Sequence, residues 1–407
     1  MNRYTSLFLI SLVLLLAGCM HRDAAFRVTL SPALRVDTLP GSSPYLTKDS
    51  NGDVVLSWIR STGDSSYVLC YARSADEGKS FGATVVVAPS TNIKPHSENL
   101  PKVIFKPSGE VIALWGTASG DPRNKYAGNV SYAQSFDAGR TWSAARPLVS
   151  DTAGYDQRYF DVALLPGGEA AIIWLDNRKT TEKEGSSLYF AVTRGRDGFT
   201  GERRVAQQCC PCCRTDLFVD SKGGIHTLYR GILQDSIRDM VYSRSTDGGR
   251  SFTVPQRVSP DNWVIEGCPH TGPSMTENAQ GLHFAWYTGG GKKGTFYTRS
   301  ADNGRSFVPS DPVSPQGKHP QVAGLESGGL VIVWDEPVAR GGQFTSRIGL
   351  QQRTPEGGSV GKAIITSEGV SASYPVVAAV RADEVLVAFC REQEEKTYVA
   401  CQLVQLQ

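Results

Sequence analysis

The most reactive side chains of this sequence are cysteines and histidines gathered in a few short segments. Residues 209–214 read CCPCCR, and Cys268 and His270 follow in the segment GCPH. Thiolate and imidazole are ligands that suit zinc or copper. If the fold brings these segments together, they can form a single metal site. The candidate ligands are Cys210, Cys213, Cys268, His270, His319 and His96.

Disulfide bonds are the alternative interpretation of the same cysteines. Bridges between neighbouring thiols could brace a long loop in an oxidising compartment. The four cysteines of residues 209–213 and Cys268 are five in number, so one would stay free or reach Cys70. The spacing does not match a zinc ribbon, because a second pair with its own separation is missing. Both interpretations remain open from the sequence.

A repeated unit of short strands must position these residues. Each unit has an apolar strand that often follows a proline, a turn with glycine, and a second apolar strand that often ends in tryptophan. The units begin near residues 43, 100, 159, 214, 272, 319 and 374. Most continue into a third and a fourth strand. Four strands per unit, repeated around an axis, predict an all-β fold, a seven-bladed β-propeller with four-stranded antiparallel blades.

The two ends of the chain are predicted to close this ring. The seventh unit ends after three strands, at residues 397–404, and residues 34–39 form an otherwise unpaired strand. An N-terminal strand that completes the last blade would remove two exposed sheet edges. We therefore expect closure between the N-terminal and C-terminal strands.

Four copies of a Ser-x-Asp-x-Gly-x-Ser/Thr-aromatic turn lie between third and fourth strands. They begin at Ser74, Ser135, Ser245 and Ser300. This turn resembles the Asp-box, or bacterial neuraminidase repeat, of the sialidase superfamily. The resemblance implies that the turns lie at the outer rim and that their aspartates are structural. Because the turn is best known from six-bladed enzymes, a six-bladed sialidase-type propeller is the alternative fold.

The N-terminal segment predicts a lipid anchor. Arg3 and the apolar residues 7–16 precede Leu-Ala-Gly-Cys at residues 16–19, which resembles a bacterial lipobox. The resemblance implies a signal peptide at residues 1–18, lipidation of Cys19, a tether at 19–32 and a propeller at 33–407. Met20 in place of aspartate favours the outer membrane, facing the periplasm. An ordinary secretory signal is the alternative.

The mouth of the central channel is the expected ligand site. Candidate ligand-binding side chains at the strand ends that meet there are Arg158, Arg178, Arg214 and Arg230. The expected function is binding of a glycan, a partner protein or a soft metal at this mouth. The net charge is +2 and no basic stripe stands out, so we expect no nucleic-acid partner.

A sialidase-type glycoside hydrolase is the alternative function. The resemblance implies a three-arginine clamp on the substrate carboxylate, a tyrosine nucleophile paired with a glutamate, and an aspartate as acid and base. The candidate catalytic residues are Tyr374, Glu266 and Asp176. A substitute clamp could be formed by Arg158, Arg214 and Arg230. The first arginine of the family pattern is missing, because residues 43–46 read Ser-Pro-Tyr-Leu.

Overall fold

The computed structural model describes residues 26–63, 65–178, 185–340 and 342–407. These residues form seven antiparallel sheets arranged as a β-propeller, and their one helical segment is the short 3-10 turn Gly195–Asp197. Among them, no helix has the length and apolar character needed to cross a membrane. The predicted signal peptide and Cys19 lie outside the described residues. The six-bladed alternative is wrong, because seven separate sheets are present.

The chain enters through two short strands and then builds the first four blades in order. The entering strands are β1 (Val28–Leu30) and β2 (Leu34–Arg35). Blade 1 contains β3 (Gly41–Lys48), β4 (Val54–Gly63), β5 (Ser66–Ser74) and β6 (Val85–Val86). Blade 2 contains β7 (Lys102–Phe105), β8 (Val111–Ala118), β9 (Gly128–Ser135) and β10 (Arg146–Pro147). Blade 3 contains β11 (Gln157–Leu164), β12 (Ala170–Asp176), β13 (Ser186–Thr193) and β14 (Phe199–Cys209). Blade 4 contains β15 (Asp216–Val219), β16 (Ile225–Arg230), β17 (Met240–Ser245) and β18 (Gln256–Arg257).

The last three blades follow the same plan. Blade 5 contains β19 (Ser274–Asn278), β20 (Gly281–Thr288), β21 (Gly294–Ser300) and β22 (Asp311–Ser314). Blade 6 contains β23 (Lys318–Gly324), β24 (Leu330–Arg340), β25 (Gln343–Arg353) and β26 (Ser359–Ile364). Blade 7 contains β27 (Ser371–Arg381), β28 (Glu384–Gln393) and β29 (Lys396–Leu406), to which β1 and β2 are added.

The N-terminal strands close the ring against the last strand of the chain. Val28 pairs with Leu406 in β29, and Leu34 pairs with Cys401 further along the same strand. The predicted closure between the chain ends is therefore confirmed. It begins earlier than expected, because β1 lies inside the segment that the sequence assigned to a tether. Pro32, which has no N–H to donate, interrupts the ladder between β1 and β2.

Each aspartate turn is stabilised by hydrogen bonds to its own backbone, and the turn of blade 2 also contacts blade 1. Asp137 Oδ1 accepts a hydrogen bond from the Thr141 backbone N–H at 2.8 Å, and Ser135 Oγ accepts one from Gly139 at 2.8 Å. Hydrogen bonds from Thr141 lower the pKa of Asp137 to about 2. Gly139 has a φ of +92° and leaves no room for a Cβ against the Tyr71 hydroxyl of the preceding blade. The turn therefore needs glycine for both its conformation and its contact.

The other three turns repeat these bonds. Serine backbone N–H groups donate to the carboxylates of Asp76, Asp247 and Asp302 at 2.9 to 3.0 Å. These turns join third to fourth strands, so they lie at the end of each blade opposite to the loops that enter the first strands. The aspartates are structural and distant from the channel mouth.

The first strands of four blades share a kink where they enter the sheet. Ser43, Tyr159, His319 and Tyr374 have φ values between 48° and 57°, in the left-handed region. The pairing register shifts at each of them, which marks a β-bulge. Non-glycine residues adopt this conformation at a cost, and such positions cluster at functional sites. The kinks surround the axis at the end of the propeller where the entering loops meet.

Cys390 and Cys401 lie on the two strands of the last hairpin but do not face each other. Cys390 pairs with Val399 and Cys401 pairs with Ala388, because the turn is centred on Glu394 and Glu395. The two thiols are therefore offset diagonally, and both are free.

Replacement of Asp37 by alanine tests the anchoring of the closing segment. The carboxylate of Asp37 accepts hydrogen bonds from Trp58 Nε1 at 3.1 Å and from Arg60 Nε at 2.5 Å, and it is 8% exposed. Its removal leaves two donors unpaired, so we expect the free energy of unfolding to fall by about 2–4 kcal/mol. Chemical denaturation measures this. The exposed Glu326→Ala is the control, and a loss no larger than that of the control contradicts the assignment.

Candidate functional site at the channel mouth

Three potential metal ligands from two neighbouring blades meet at the mouth. Cys212 lies in the loop that enters β15 of blade 4, and Cys268 and His270 lie in the loop that enters β19 of blade 5. Their ligand atoms all lie within 4.8 Å of one another. Cys212 is buried, whereas Cys268 and His270 are exposed. The group is therefore enclosed by protein at Cys212 and open to solvent at Cys268 and His270.

A second group of sulfur atoms shares Cys212. The Sγ atoms of Cys210, Cys212 and Cys213 also lie within 4.8 Å of one another, and all three residues are buried. Cys210 Sγ is 3.6 Å from Cys212 Sγ and 3.9 Å from Cys213 Sγ. The segment folds back because the Cys210 N–H donates to the Arg230 carbonyl at 2.8 Å. In this segment, Cys209 differs, since its Sγ contacts the Gln207 carbonyl at 3.8 Å.

The surroundings of this sulfur group favour one thiolate. Hydrogen bonds from the thiols of Cys212 and Cys213 lower the pKa of Cys210, and the positive charges of Arg230 and Arg238 add to this effect. The pKa of Cys212 is raised because its thiol bonds to Cys210. Arg238 Nη1 lies 3.6 Å from Cys210 Sγ. The group thus loses its first proton readily and the next with difficulty.

Contacts between blades 2 and 5 cross the channel axis beside these ligands. The rings of His96 and His270 are 5.1 Å apart, and Glu98 Oε2 accepts a hydrogen bond from the Gly272 N–H at 2.6 Å. These blades stand three places apart in a ring of seven, so the contacts span the opening. Burial, followed by the charges of His270 and Arg158, lowers the pKa of His96 to about 4. A neutral His96 imidazole therefore lies next to the candidate ligands.

His319 was predicted as a ligand of the same site, but the structure places it in a different pair. His319 Nδ1 lies 2.9 Å from Asp335 Oδ2, and its ring is 4.2 Å from the ring of Tyr374. The Tyr374 backbone N–H also donates to Asp335 Oδ2, at 2.7 Å. Burial opposes the charged form, but the attraction of Asp335 outweighs it and raises the pKa of His319. His319 thus belongs to an imidazole–carboxylate pair rather than to the thiol group.

The four candidate arginines are occupied by the protein itself. Arg158 is bonded to Asp156, and the buried Arg178 to Asp176. Arg214 Nη2 donates to three backbone carbonyls at 3.1 to 3.2 Å, those of Gly272, Pro273 and Pro320. Arg230 donates to the carbonyls of Thr271, Tyr287 and Arg238 at 2.8 to 3.3 Å. These guanidinium groups hold the loops of the mouth in place, so a carboxylate clamp would have to displace existing bonds.

The candidate catalytic residues do not form one constellation. Asp176 is fully buried and accepts hydrogen bonds from Trp174 Nε1 and Arg178, so it cannot reach a substrate. Glu266 lies exposed in the loop before β19. Tyr374 contacts His319 rather than a glutamate. The hydrolase parts expected from the sequence are therefore dispersed.

A charged cavity lies in the channel below the mouth. Its volume is about 190 Å3, and its lining includes Tyr45, Lys102, Asp161, Arg214 and Asp216. Lys102 Nζ lies 3.2 Å from Asp161 Oδ1. Burial, followed by the nearby charge of Asp161, raises the pKa of Asp216 well above its ordinary value. Lys102 and Asp161 are paired, so their charges offset each other in this space.

Cys212, Glu98 and Asp335 were not among the predicted metal-ligating, arginine-clamp or catalytic residues. Cys212 belongs to both groups of ligand atoms. The sequence CCPCC alone does not indicate which of its cysteines has this position. Glu98 and Asp335 act on partners in other blades or strands. The sequence signal for such residues is a polar side chain just before a first strand or near the end of a second strand, because these positions lie at the channel mouth.

Comparison with known proteins relates this chain to solved propellers. No known family model matches the chain, and no curated protein does. A protein of unknown function from Dyadobacter fermentans matches with 13% identity, coverage of 93% of this chain and 99% of the other, and a TM-score of 0.55. The polysaccharide lyase Uly1 matches with 12% identity, coverage of 91% and 90%, and a TM-score of 0.56. The intramolecular trans-sialidase from Ruminococcus gnavus matches with 9% identity, coverage of 94% and 96%, and a TM-score of 0.52. At these identities the likeness establishes a propeller fold with sialidases and polysaccharide lyases among its structural neighbours.

The pairing of His319 with Asp335 predicts a specific titration. Since the folded-state pKa is raised, the pair stabilises the protein fully below the unfolded value of about 6.5, and this stability is lost as pH rises through the folded-state pKa. NMR should show a His319 midpoint above 6.5 that falls in Asp335→Asn, with His319→Asn assigning the signal. The exposed Glu326→Gln should leave the midpoint unchanged. A wild-type midpoint at or below 6.5 contradicts the pairing.

Proposed function

We propose that this protein binds a soft metal ion, zinc or copper, at the mouth of its central channel through Cys212, Cys268 and His270. One observation supports this most strongly. Ligand atoms from two separate loops lie within 4.8 Å of one another, although 56 residues separate Cys212 from Cys268 along the chain. Two sulfurs and one imidazole are donors that suit zinc and copper.

The exposure of the site supports a reactive rather than a purely structural ion. Structural zinc sites usually have four protein ligands, whereas catalytic sites retain an open position for water or a substrate. Here three protein atoms converge, and Cys268 and His270 face solvent. An ion at this position would therefore accept an exogenous ligand at the channel mouth.

The sulfur distances favour metal binding over disulfide bracing. Cys210 Sγ and Cys212 Sγ are 3.6 Å apart, whereas a disulfide bond is about 2.05 Å long. The eight described cysteines are all free. Two metal–sulfur bonds of about 2.3 Å place their sulfurs about 3.8–4.0 Å apart, so a movement of a few tenths of an ångström would let Cys210 and Cys212 share one ion.

The cellular setting of this proposal rests on the N-terminal sequence. Lipidation of Cys19 would anchor the propeller to the outer membrane, with the mouth facing the periplasm. A glycan or a partner protein remains the proposed external ligand of the mouth. Two of the structural neighbours are a polysaccharide lyase and a trans-sialidase, which supports a carbohydrate as that ligand.

Elemental analysis of the purified protein tests the metal proposal. We expect zinc or copper bound in stoichiometric amount after anaerobic purification, and the loss of one equivalent in the double variant Cys268→Ser with His270→Ala, since two of three ligands are removed. Cys70→Ala is the matched control, because Cys70 is buried in blade 1, remote from the mouth. Metal at background level in the wild type, or equal content in the double variant, refutes the proposal.

An exo-sialidase-type glycoside hydrolase is the second candidate function. The placement of Tyr374 in a left-handed kink at the entry of blade 7, with its ring against His319, favours it. The occupied arginines weigh against it, because the substrate carboxylate would have no free clamp.

A fluorogenic sialoside assay separates the two candidates. We expect no turnover of α-linked sialosides above background, because the guanidinium groups of Arg158, Arg178, Arg214 and Arg230 are already bonded. Turnover that is lost in Tyr374→Phe, with retention in the control Tyr67→Phe, would instead establish the hydrolase.

A further inference from the structure

We infer that the channel mouth holds two cuprous ions that share the thiolate of Cys212. One ion is the open site of the proposed function, on which this inference rests. The second lies deeper, between Cys210, Cys212 and Cys213. The starting observation is that Cys212 belongs to both groups of converging ligand atoms.

The spacing of the deeper sulfurs fits one ion. If a metal lies in the plane of three sulfurs with bonds of about 2.3 Å, the sulfurs stand about 4.0 Å apart. Cys210 Sγ lies 3.6 Å from Cys212 Sγ and 3.9 Å from Cys213 Sγ. Small adjustments of the side chains therefore suffice to bind an ion, and the backbone can remain as it is.

Burial of the deeper group selects the metal. Cys210, Cys212 and Cys213 are between 1% and 5% exposed, so water has no open approach to a fourth coordination position. Structural zinc prefers four ligands in a tetrahedron, which this group does not supply. Soft thiolates select cuprous copper, and three donors in a closed pocket suit that ion.

The charge of the deeper site is compensated by neighbouring arginines. Three thiolates and one cuprous ion carry a net charge of −2. Arg238 Nη1 lies 3.6 Å from Cys210 Sγ, and the positive charge of the buried Arg230 also acts on Cys210. Buried charge is tolerated only where such partners are present.

The bridging position of Cys212 gives the two ions different accessibility. The outer ion has Cys212, Cys268 and His270 as ligands and faces solvent, whereas the inner ion is enclosed. The thiol protons of the ligand cysteines pass to solvent as the ions bind. The outer ion is therefore exchangeable, and the inner ion fixes the bridging thiolate in place.

Anaerobic titration of the reduced full chain with Cu(I), in competition with a chromophoric Cu(I) chelator, tests this inference. We expect two equivalents in the wild type, one in Cys210→Ser, one in the double variant Cys268→Ser with His270→Ala, and none bound tightly in Cys212→Ser. Cys209→Ala is the matched control, since its thiol lies in the same segment but outside both groups, and it should retain two. Native mass spectrometry of the same samples counts the ions, and circular dichroism verifies that each variant is folded.

The outcomes separate this inference from the proposed function. One equivalent in the wild type, kept in Cys210→Ser and lost in the double variant, overturns the inner ion and leaves the outer site intact. Two equivalents retained in Cys210→Ser or in Cys212→Ser overturn the bridged arrangement. No copper in any sample overturns the inner ion, and if zinc is also absent the proposed function fails with it.

Discussion

The antiparallel pairing of the two ends of the chain is the constraint on which the other features depend. β1 and β2 add to β29, so the last blade is completed by the first residues of the fold. This ladder removes the open sheet edges of a linear array. It also ties the start of the chain to blade 7 and so holds the ring closed. In the closed ring, loops from blades 2 and 5 meet across the axis, as Glu98 and Gly272 do.

In the closed ring, the charged side chains at the mouth form hydrogen bonds and ion pairs within the protein. Arg214 donates to carbonyls of blades 5 and 6, and Arg230 donates to the Tyr287 carbonyl of blade 5. His319 is paired with Asp335. Each of these bonds satisfies a buried polar group that would otherwise be costly. Soft donors are also present at the mouth, where the exposed Cys268 and His270 lie beside the buried Cys212. The chemistry of the mouth therefore favours a soft metal over carboxylate recognition.

Periodic features of the fold could be predicted from the sequence, because strand alternation and turn chemistry are local. The seven units, the closure and the structural role of the aspartates in the turns follow from such patterns. The residue at which the closing segment begins was not predicted. The sequence indicated a strand only after Pro32, whereas β1, which precedes Pro32, also pairs with β29. The register of the last hairpin depends on its turn, which is centred between Glu394 and Glu395, one position short of the centre that would pair Cys390 with Cys401.

The sequence predicted most of the residues that line the candidate site, but it did not predict which of them contact one another. Entry loops of several blades were expected to meet, and Cys212, Cys268, His270 and His96 do so. His319 lies in another pair because its partner, Asp335, is presented by the adjacent strand β24. The partners of Arg214 are backbone carbonyls from blades 5 and 6. Such long-range choices depend on tertiary geometry, which no local pattern encodes.

The central claim is that Cys212, Cys268 and His270 coordinate one ion. X-ray absorption at the edge of the bound metal tests it most directly. The account predicts sulfur scatterers at about 2.3 Å together with imidazole nitrogen at about 2.0–2.1 Å, and a weaker imidazole contribution in His270→Ala. A spectrum with only oxygen or nitrogen scatterers, or one unchanged in His270→Ala, would contradict the claim.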